Sequence, residues 1–180
     1  SLTARSGNYS GYAKINHKNS ELGLTYNLSY NDFRGNIYDE KAQYTLNDGS
    51  NYIISRDDID SRSRNIEHTF ELKYNLADSA SYVFQTSLSA NFNHAPGDYN
   101  KRLITDNVNE YISETRNNGN VKSPALDIYF FHKLGNHQNI TANFVGTAIS
   151  TNEYNYNDEG SPYEYTINGN TWSMMSEAIY

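Results

Sequence analysis

The sequence predicts an all-β fold, an antiparallel up-and-down meander of about seven long strands. Apolar and polar residues alternate with a period of two through much of the chain, as in strands whose two faces differ. Aromatic residues make up 14% of the 180 residues, and 17 residues are tyrosines, which favour strands. No segment shows the three-and-four spacing of an amphipathic helix.

Seven segments carry the alternation, and the second shows it best. In ELGLTYNLSYNDF, residues 21–33, Leu22, Leu24 and Leu28 share one face with two tyrosines, while the other face is polar. The first segment is weaker, and the last is ambiguous because its two methionines are adjacent. The predicted strands are residues 9–17, 21–33, 65–76, 82–93, 126–134, 140–148 and 171–180.

The connections between these strands alternate between short and long. Short polar turns are predicted at residues 18–21, 77–81 and 135–139. The segments between them are rich in Asn, Asp, Ser, Gly and Tyr, which favour turns and loops. We therefore predict long loops at about residues 34–62, 94–123 and 152–170.

The short turns also predict strand registers. We place residue 17 opposite 22, 76 opposite 82, and 134 opposite 140. Each choice keeps apolar residues together, and a slip of one residue would move them to the polar face. The predicted pairs are Ala13–Tyr26, Gly11–Leu28, Tyr74–Phe84, Leu72–Thr86, Phe70–Leu88, Lys73–Gln85, Glu67–Asn91 and Phe130–Phe144.

The alternation fits either a soluble β-sandwich or a membrane β-barrel, and four features favour the barrel. Several predicted strands are longer than the usual five or six residues, and about eleven tilted residues span the roughly 25 Å apolar band of a barrel. The apolar faces of the first six strands carry no charge. Short and long connections alternate, as periplasmic turns and extracellular loops do. Aromatic residues suggest two interfacial girdles at Tyr74 and Tyr82, and at Tyr30, Phe33, Phe92 and Trp172.

Three hairpins carry a family resemblance. They read GYAKINHKNSELGLTYNLSYNDF, NIEHTFELKYNL–ADSAS–YVFQTSLSANFN and SPALDIYFFHKLGNHQNITANFVGTAIS. Their texture resembles the barrel portion of TonB-dependent outer-membrane receptors, particularly those of Bacteroidetes, over nearly the whole chain. The resemblance implies a part of a transporter in the outer membrane of a Gram-negative bacterium. Its wall and extracellular capture loops would serve uptake of a nutrient such as a siderophore or a glycan.

Seven strands cannot close a bacterial single-chain barrel, where strand counts are even and start at eight. We therefore expect residues 1–180 to be one segment of a larger barrel, without a plug domain. The expected partners are outer-membrane lipid, the remaining barrel strands and the plug. The energy-coupling TonB protein would act only through regions outside this chain. Open sheet edges would also allow self-association.

A soluble, secreted β-sheet module that binds carbohydrate or protein through tyrosine-rich loops is the alternative. Other classes are disfavoured. The net charge of −7 and pI of about 5.1 argue against nucleic acid as a partner. The absence of cysteine excludes disulfides and thiolate metal sites. The sequence contains no run of 18 apolar residues, so no transmembrane helix is predicted.

No residue constellation points to an enzyme, a cofactor or a metal. The five histidines lack metal-ligand spacing, and His68 is predicted to lie at the interface near a long loop. NYNDEG, residues 155–160, resembles the start of an EF-hand, but the twelfth position is Thr166. A solvated acidic loop is predicted there, with only loose calcium binding by Asp158 and Glu159 left open. RDDIDSRSR, residues 56–64, is interpreted as a solvated loop edge.

Ligand contacts are expected in the long loops and in the barrel lumen. Tyrosines among amides and carboxylates suit stacking on sugars and hydrogen bonding to polar ligands. Glu67 and Glu71 lie about 13 Å apart on one strand face, too far for a glycosidase pair. The predicted ligand-binding residues are Tyr99, Tyr111, Tyr154, Tyr156 and Asp158 in the loops and Glu67, Glu71 and Lys73 in the lumen.

Overall fold

The chain forms one antiparallel sheet of eight strands in the computed structural model, which describes residues 5–35, 38–78, 81–135 and 138–180. Among the described residues, no helix is long and apolar enough to cross a membrane. The strands are β1 (Ser6–His17), β2 (Ser20–Arg34), β3 (Asp39–Thr45), β4 (Asn51–Asp78), β5 (Tyr82–Thr105), β6 (Glu110–Lys133), β7 (Asn139–Asp158) and β8 (Tyr163–Ile179).

The sheet is an up-and-down meander in the order β1-β2-β4-β5-β6-β7-β8, which confirms the predicted all-β antiparallel class. The count of about seven strands is corrected to eight, because β3 lies in a segment predicted as a loop. β2 pairs with residues 62–76 of β4 and β3 pairs with residues 51–57, so both lie along the same side of β4. β1 and β8 each have one neighbour, and the sheet remains open.

The three predicted long loops are wrong, because most of their residues continue the strands. β4, β5 and β6 contain 28, 24 and 24 residues, and connections of a few residues follow Thr45, Thr105 and Asp158. Turn-forming residues such as Asn and Ser are accommodated here because neighbouring strands complete their backbone hydrogen bonds. Strand preference depends on such context more than on residue type.

The predicted registers are also wrong, each by two residues. Leu72 pairs with Leu88, Gly11 with Tyr26, and Phe130 with Ala142. The first turn is tighter than predicted, with His17 opposite Ser20. Residues 79–80 and 136–137 of the other short turns, including His137, lie outside the described residues. The remaining corrected pairs are Ala13–Leu24, Tyr74–Thr86, Phe70–Ala90, Lys73–Ser87, Glu67–Asn93 and Ile128–Phe144.

A shift of two residues preserves the faces, so the predicted division into an apolar face and a polar face is confirmed. A single row crosses all seven strands of the path with small or apolar side chains only. Its members are Ala13, Leu24, Leu72, Leu88, Leu126, Gly146 and Met174. This row also resolves the ambiguous last strand, because it assigns Met174 and, by alternation, Trp172 to the apolar face.

The sheet has two halves with different side-chain chemistry. We call the half next to the turns after His17, Asp78 and Lys133 the proximal half, and the other the distal half. In the distal half β5 carries a β-bulge between Ala95 and Asp98, where Gly97 has a φ of 71°. The bulge changes which β5 side chains share a face with those of β6.

Candidate functional site

The apolar face of the proximal half is uncovered. The exposed fractions are 46% for Leu24, 40% for Leu72, 49% for Leu88 and 76% for Trp172. Among the described residues, only Ile54 and Ile104 are buried apolar side chains, and both lie in the distal half. A second layer would have buried the proximal residues. The sheet therefore presents an apolar surface about 30 Å by 36 Å, judged from strand spacing and rise.

Aromatic contacts organise the centre of this surface. The ring centroids of Tyr26 and Phe70 are 4.8 Å apart, and those of Phe70 and Phe92 are 6.1 Å apart. The hydroxyl of Tyr26 lies 2.9 Å from Nδ1 of His68, so each polar group has a partner within the apolar face. His68 lies well inside β4, which corrects its predicted position near a long loop.

The predicted ligand-binding residues do not form one site, because the strands divide them between the two faces. Glu67, Glu71, Lys73 and Tyr111 lie on the polar face by register and alternation. Tyr99, Tyr154, Tyr156 and Asp158 lie on the continuation of the apolar face in the distal half. All five predicted loop residues lie in strands, which corrects their assignment to loops.

On the polar face the predicted residues have local partners. Lys73 Nζ lies 2.9 Å from Glu71 Oε1, and the two side chains belong to one strand. The amide nitrogen of Asn91 donates to Glu67 at 2.5 Å, although Asn91 is two residues from the register partner of Glu67. These contacts make a polar, hydrogen-bonded surface opposite the uncovered apolar one.

Tyrosines and charged residues replace the apolar residues on the same face of the distal half. Tyr99 donates its hydroxyl hydrogen to Asp60 at 2.9 Å, and Tyr154 donates to Glu164 at 2.7 Å. Because each phenol donates to a carboxylate, its pKa is raised above the ordinary value.

An arginine joins the other two predicted residues to this cluster. The guanidinium of Arg116 lies 5.6 Å from the ring centre of Tyr156 and contacts Glu114 at 2.6 Å. The Tyr156 hydroxyl donates to Asp158 at 3.4 Å. Asp158 therefore belongs to a hydrogen-bonded surface cluster, in which its carboxylate accepts a hydrogen bond from Tyr156.

An ion pair that sequence reasoning missed lies at the boundary between the halves. Arg62 donates two hydrogen bonds to Asp32, at 2.9 and 2.7 Å, and lowers the pKa of this carboxyl to about 2. The sequence predicts Arg62 at the edge of a solvated loop and Asp32 near the end of the strand at residues 21–33. Only the register of β2 against β4 could have predicted this ion pair, because Asp32 and Arg62 come together only if β2 continues to Arg34.

No metal site is formed by the described part of the chain, where no three His, Asp or Glu side chains are grouped to hold an ion. Residues 155–158 of NYNDEG belong to β7 rather than to a loop, which corrects the prediction. Asp158 accepts a hydrogen bond from the Gly160 amide at 3.1 Å, as expected for a turn that ends a strand.

No family model matches the sequence, and no curated protein is significantly similar to it. The function is therefore inferred from the sheet, its two faces and its open edges.

Proposed function

We propose that this chain forms part of the wall of an outer-membrane β-barrel in a Gram-negative bacterium. The observation that carries the proposal is the uncovered apolar row that crosses seven strands in register. Lipid would contact this face in the proximal half, and water would contact the polar face as the lumen.

The size of the apolar surface favours lipid over water. Its area is about 1,000 Å², from about 30 Å across and 36 Å along the strands. The largest apolar patch of a typical soluble monomer is only about 300–600 Å². A soluble sheet of this kind would need a second layer, and the two buried isoleucines in the described part of the chain, Ile54 and Ile104, are far too few for a core.

The aromatic residues near the boundary of the two halves support a tilted wall. Tyr30, Phe92 and Trp172 lie in three successive rows of the sheet, in that order from β2 to β8. Barrel strands tilt by about 35–45°, so a line of constant height crosses the rows diagonally. These three side chains follow such a line and suit one membrane interface.

The direction of the edge strands indicates what would complete the wall. β1 and β8 run in the same direction, because seven antiparallel strands lie in the path. Antiparallel closure therefore requires an odd number of further strands, which makes the total even, as in bacterial barrels. By resemblance, those strands and a plug would belong to a TonB-dependent receptor that imports a siderophore or a glycan, with the short turns in the periplasm and the distal half outside the cell.

Arginine substitutions on adjacent residues of β5 test the proposal in the full-length protein. Leu88 lies centrally in the apolar row, and Ser89 lies on the opposite face. Leu88→Arg should reduce the amount assembled in the outer membrane strongly, because Arg at the bilayer midplane costs about 2–4 kcal/mol. Ser89→Arg should assemble normally, because its side chain would face water.

Equal assembly of the two variants in outer-membrane fractions would contradict the proposal. A soluble module would tolerate Leu88→Arg, because Leu88 is already 49% exposed. If a second copy covers the apolar face instead of lipid, Leu88→Arg should convert a soluble dimer into a monomer, which sedimentation would detect and which would also overturn the membrane assignment.

A further inference from the structure

A row of polar side chains crosses the distal half on the face opposite the apolar one. In register these residues are Ser61, Asn100, Thr115, Asn157 and Tyr163, one from each of β4 to β8. We call the surface along this row the polar groove. From β4 to β8 it spans about 19 Å, since strands are about 4.8 Å apart.

A cavity of about 340 Å³ forms the β4 end of the polar groove. Ser61, Asn100 and Thr115 line it, together with side chains from both sides of their row. Tyr38 lies at its rim with an exposed fraction of 61%, and its backbone amide donates to Asp58 at 3.1 Å. The cavity is therefore lined by hydroxyl, amide and charged residues, with the exposed ring of Tyr38 at its rim.

Two asparagines in the polar groove hold acceptors without donors. The side-chain oxygens of Asn100 and Asn157 are shielded from solvent, and neither accepts a hydrogen bond from any described residue. Thr115 lies between them in the row. Buried acceptors are normally satisfied, so each exception requires an explanation. Because the terminal torsion of asparagine is broad, a ligand that supplies hydroxyl donors can turn these oxygens toward itself.

Two parallel tyrosines form the β8 end of the polar groove. The rings of Tyr163 and Tyr165 are 6.4 Å apart with an angle of 9° between their planes. Their exposed fractions are 56% and 48%, and the Tyr163 hydroxyl accepts a hydrogen bond from the Asn157 amide at 3.0 Å. The same network thus joins an orphan acceptor to an exposed aromatic platform.

Three of the four charged residues that line the cavity are paired with a residue of opposite charge. The four are Asp58, Asp98, Arg62 and Arg102. Asp58 is paired with Arg102 at 2.7 Å, and Asp98 accepts the backbone amide hydrogen of Arg64 at 2.6 Å. Arg62 is held by Asp32 on the other side of the sheet. An anionic ligand would therefore meet no unpaired cation and would face the carboxylate of Asp98, whereas a neutral ligand can donate hydroxyl hydrogens to it.

We propose that the polar groove binds a neutral oligosaccharide. Its hydroxyl groups supply the donors that Asn100 and Asn157 require, and an apolar sugar face stacks on Tyr163 and Tyr165. The span of about 14 Å from β5 to β8 exceeds one sugar ring, so the ligand is a chain of sugars. This assignment rests on the proposed function, because it places the groove on the lumen side, and it selects a glycan over an anionic siderophore.

The test uses the full-length protein and an array of linear neutral oligosaccharides, with uronic-acid oligosaccharides of equal length as the anionic set. At least one neutral oligosaccharide should bind, and titration calorimetry of that sugar should follow. The double variant Tyr163→Ala and Tyr165→Ala should weaken binding about tenfold or more. Asn100→Ala should also weaken it, because a hydrogen-bond acceptor is removed.

Tyr9→Ala provides the matched control. Tyr9 is a strand tyrosine with an exposed fraction of 62%, and it lies on β1, far from the groove and on the other face. The affinity of the Tyr9→Ala variant for the sugar should match that of the wild type. Binding of no neutral oligosaccharide, preferential binding of the anionic set, or equal affinity of the double variant would each overturn the assignment. If the protein in the same samples is assembled correctly in the membrane, such a result contradicts sugar binding by the polar groove and leaves the proposed barrel wall standing.

Discussion

The proximal and distal halves share one backbone ladder but differ in side-chain chemistry. In the proximal half one face is apolar and the other polar, and the row through Leu72 and Leu88 has no charged member. In the distal half both faces are polar, with ion pairs such as Arg102–Asp58 and phenols that donate to carboxylates. Pairing continues from β4 to β8 through both halves.

Strand length and the side-chain chemistry along a strand therefore vary independently in this sheet. Backbone hydrogen bonds to two neighbours hold a strand together whether its side chains meet lipid or water. The side chains decide which solvent each stretch can occupy. The change in chemistry along β4, between Arg64 and Ile66, therefore occurs without a change of secondary structure.

The largest expected effect compares one face across the two halves. Leu72 and Ile112 lie on the same face and are 40% and 60% exposed, but Leu72 is proximal and Ile112 distal. In lipid vesicles, Leu72→Arg should lower the free energy of unfolding by about 2–4 kcal/mol. Ile112→Arg should change it by less than about 0.5 kcal/mol, as at an ordinary surface position. Urea titration measures both, and similar losses would mean that the halves do not differ in solvent.

A smaller effect is expected at the bulge in distal β5. Gly97 has a φ of 71°, where an L-residue is strained, although an added Cβ would meet no atom within 4 Å. Gly97→Ala should therefore destabilise the fold by roughly 1–2 kcal/mol through the backbone alone. Gly169→Ala in β8 is the control, because that site is equally open without the left-handed conformation. A neutral Gly97→Ala variant would show that the bulge does not require glycine.

The smallest effect concerns the ion pair at the boundary of the halves. The pKa of Asp32 is lowered from 3.8 to about 2, first by the hydrogen bonds from Arg62. Its contribution to stability is therefore fully present above about pH 4 and is lost as the pH falls through about 2. Asp32→Asn should be less stable than the wild type at pH 7, and the difference should shrink as the pH falls through about 2, by urea unfolding at each pH. A constant difference at all pH values would contradict the pairing.

Much of the proximal half could be predicted from the sequence. The alternation in residues 21–33 and 65–76 identified the strands and their faces, because a period of two is a local property. The registers failed by two residues, since two such registers present the same faces and differ only in turn length. The polar turn residues alone do not determine that His17 pairs with Ser20.

The distal half was not predictable in the same way. Its Asn, Asp, Ser and Tyr residues have turn and loop preferences, and only pairing with long neighbours converts residues 94–105 or 152–158 into strands. The polar groove depends on this pairing, because Asn100 and Asn157 belong to different strands and lie 57 positions apart in the chain. The spacing of Tyr163 and Tyr165 was the only local signal.

Which side chains of a regular strand share a face follows from the sequence alone, because successive residues of a strand point to opposite faces. The net charge of −7 likewise predicts, without reference to the fold, that nucleic acid is not a partner. Pairing between strands, by contrast, sets how far each strand extends, which residues lie opposite each other, and the placement of Tyr99 and Tyr111 on opposite faces. Those properties depend on neighbours and on one bulge at Gly97, and neither leaves a periodic trace in the chain.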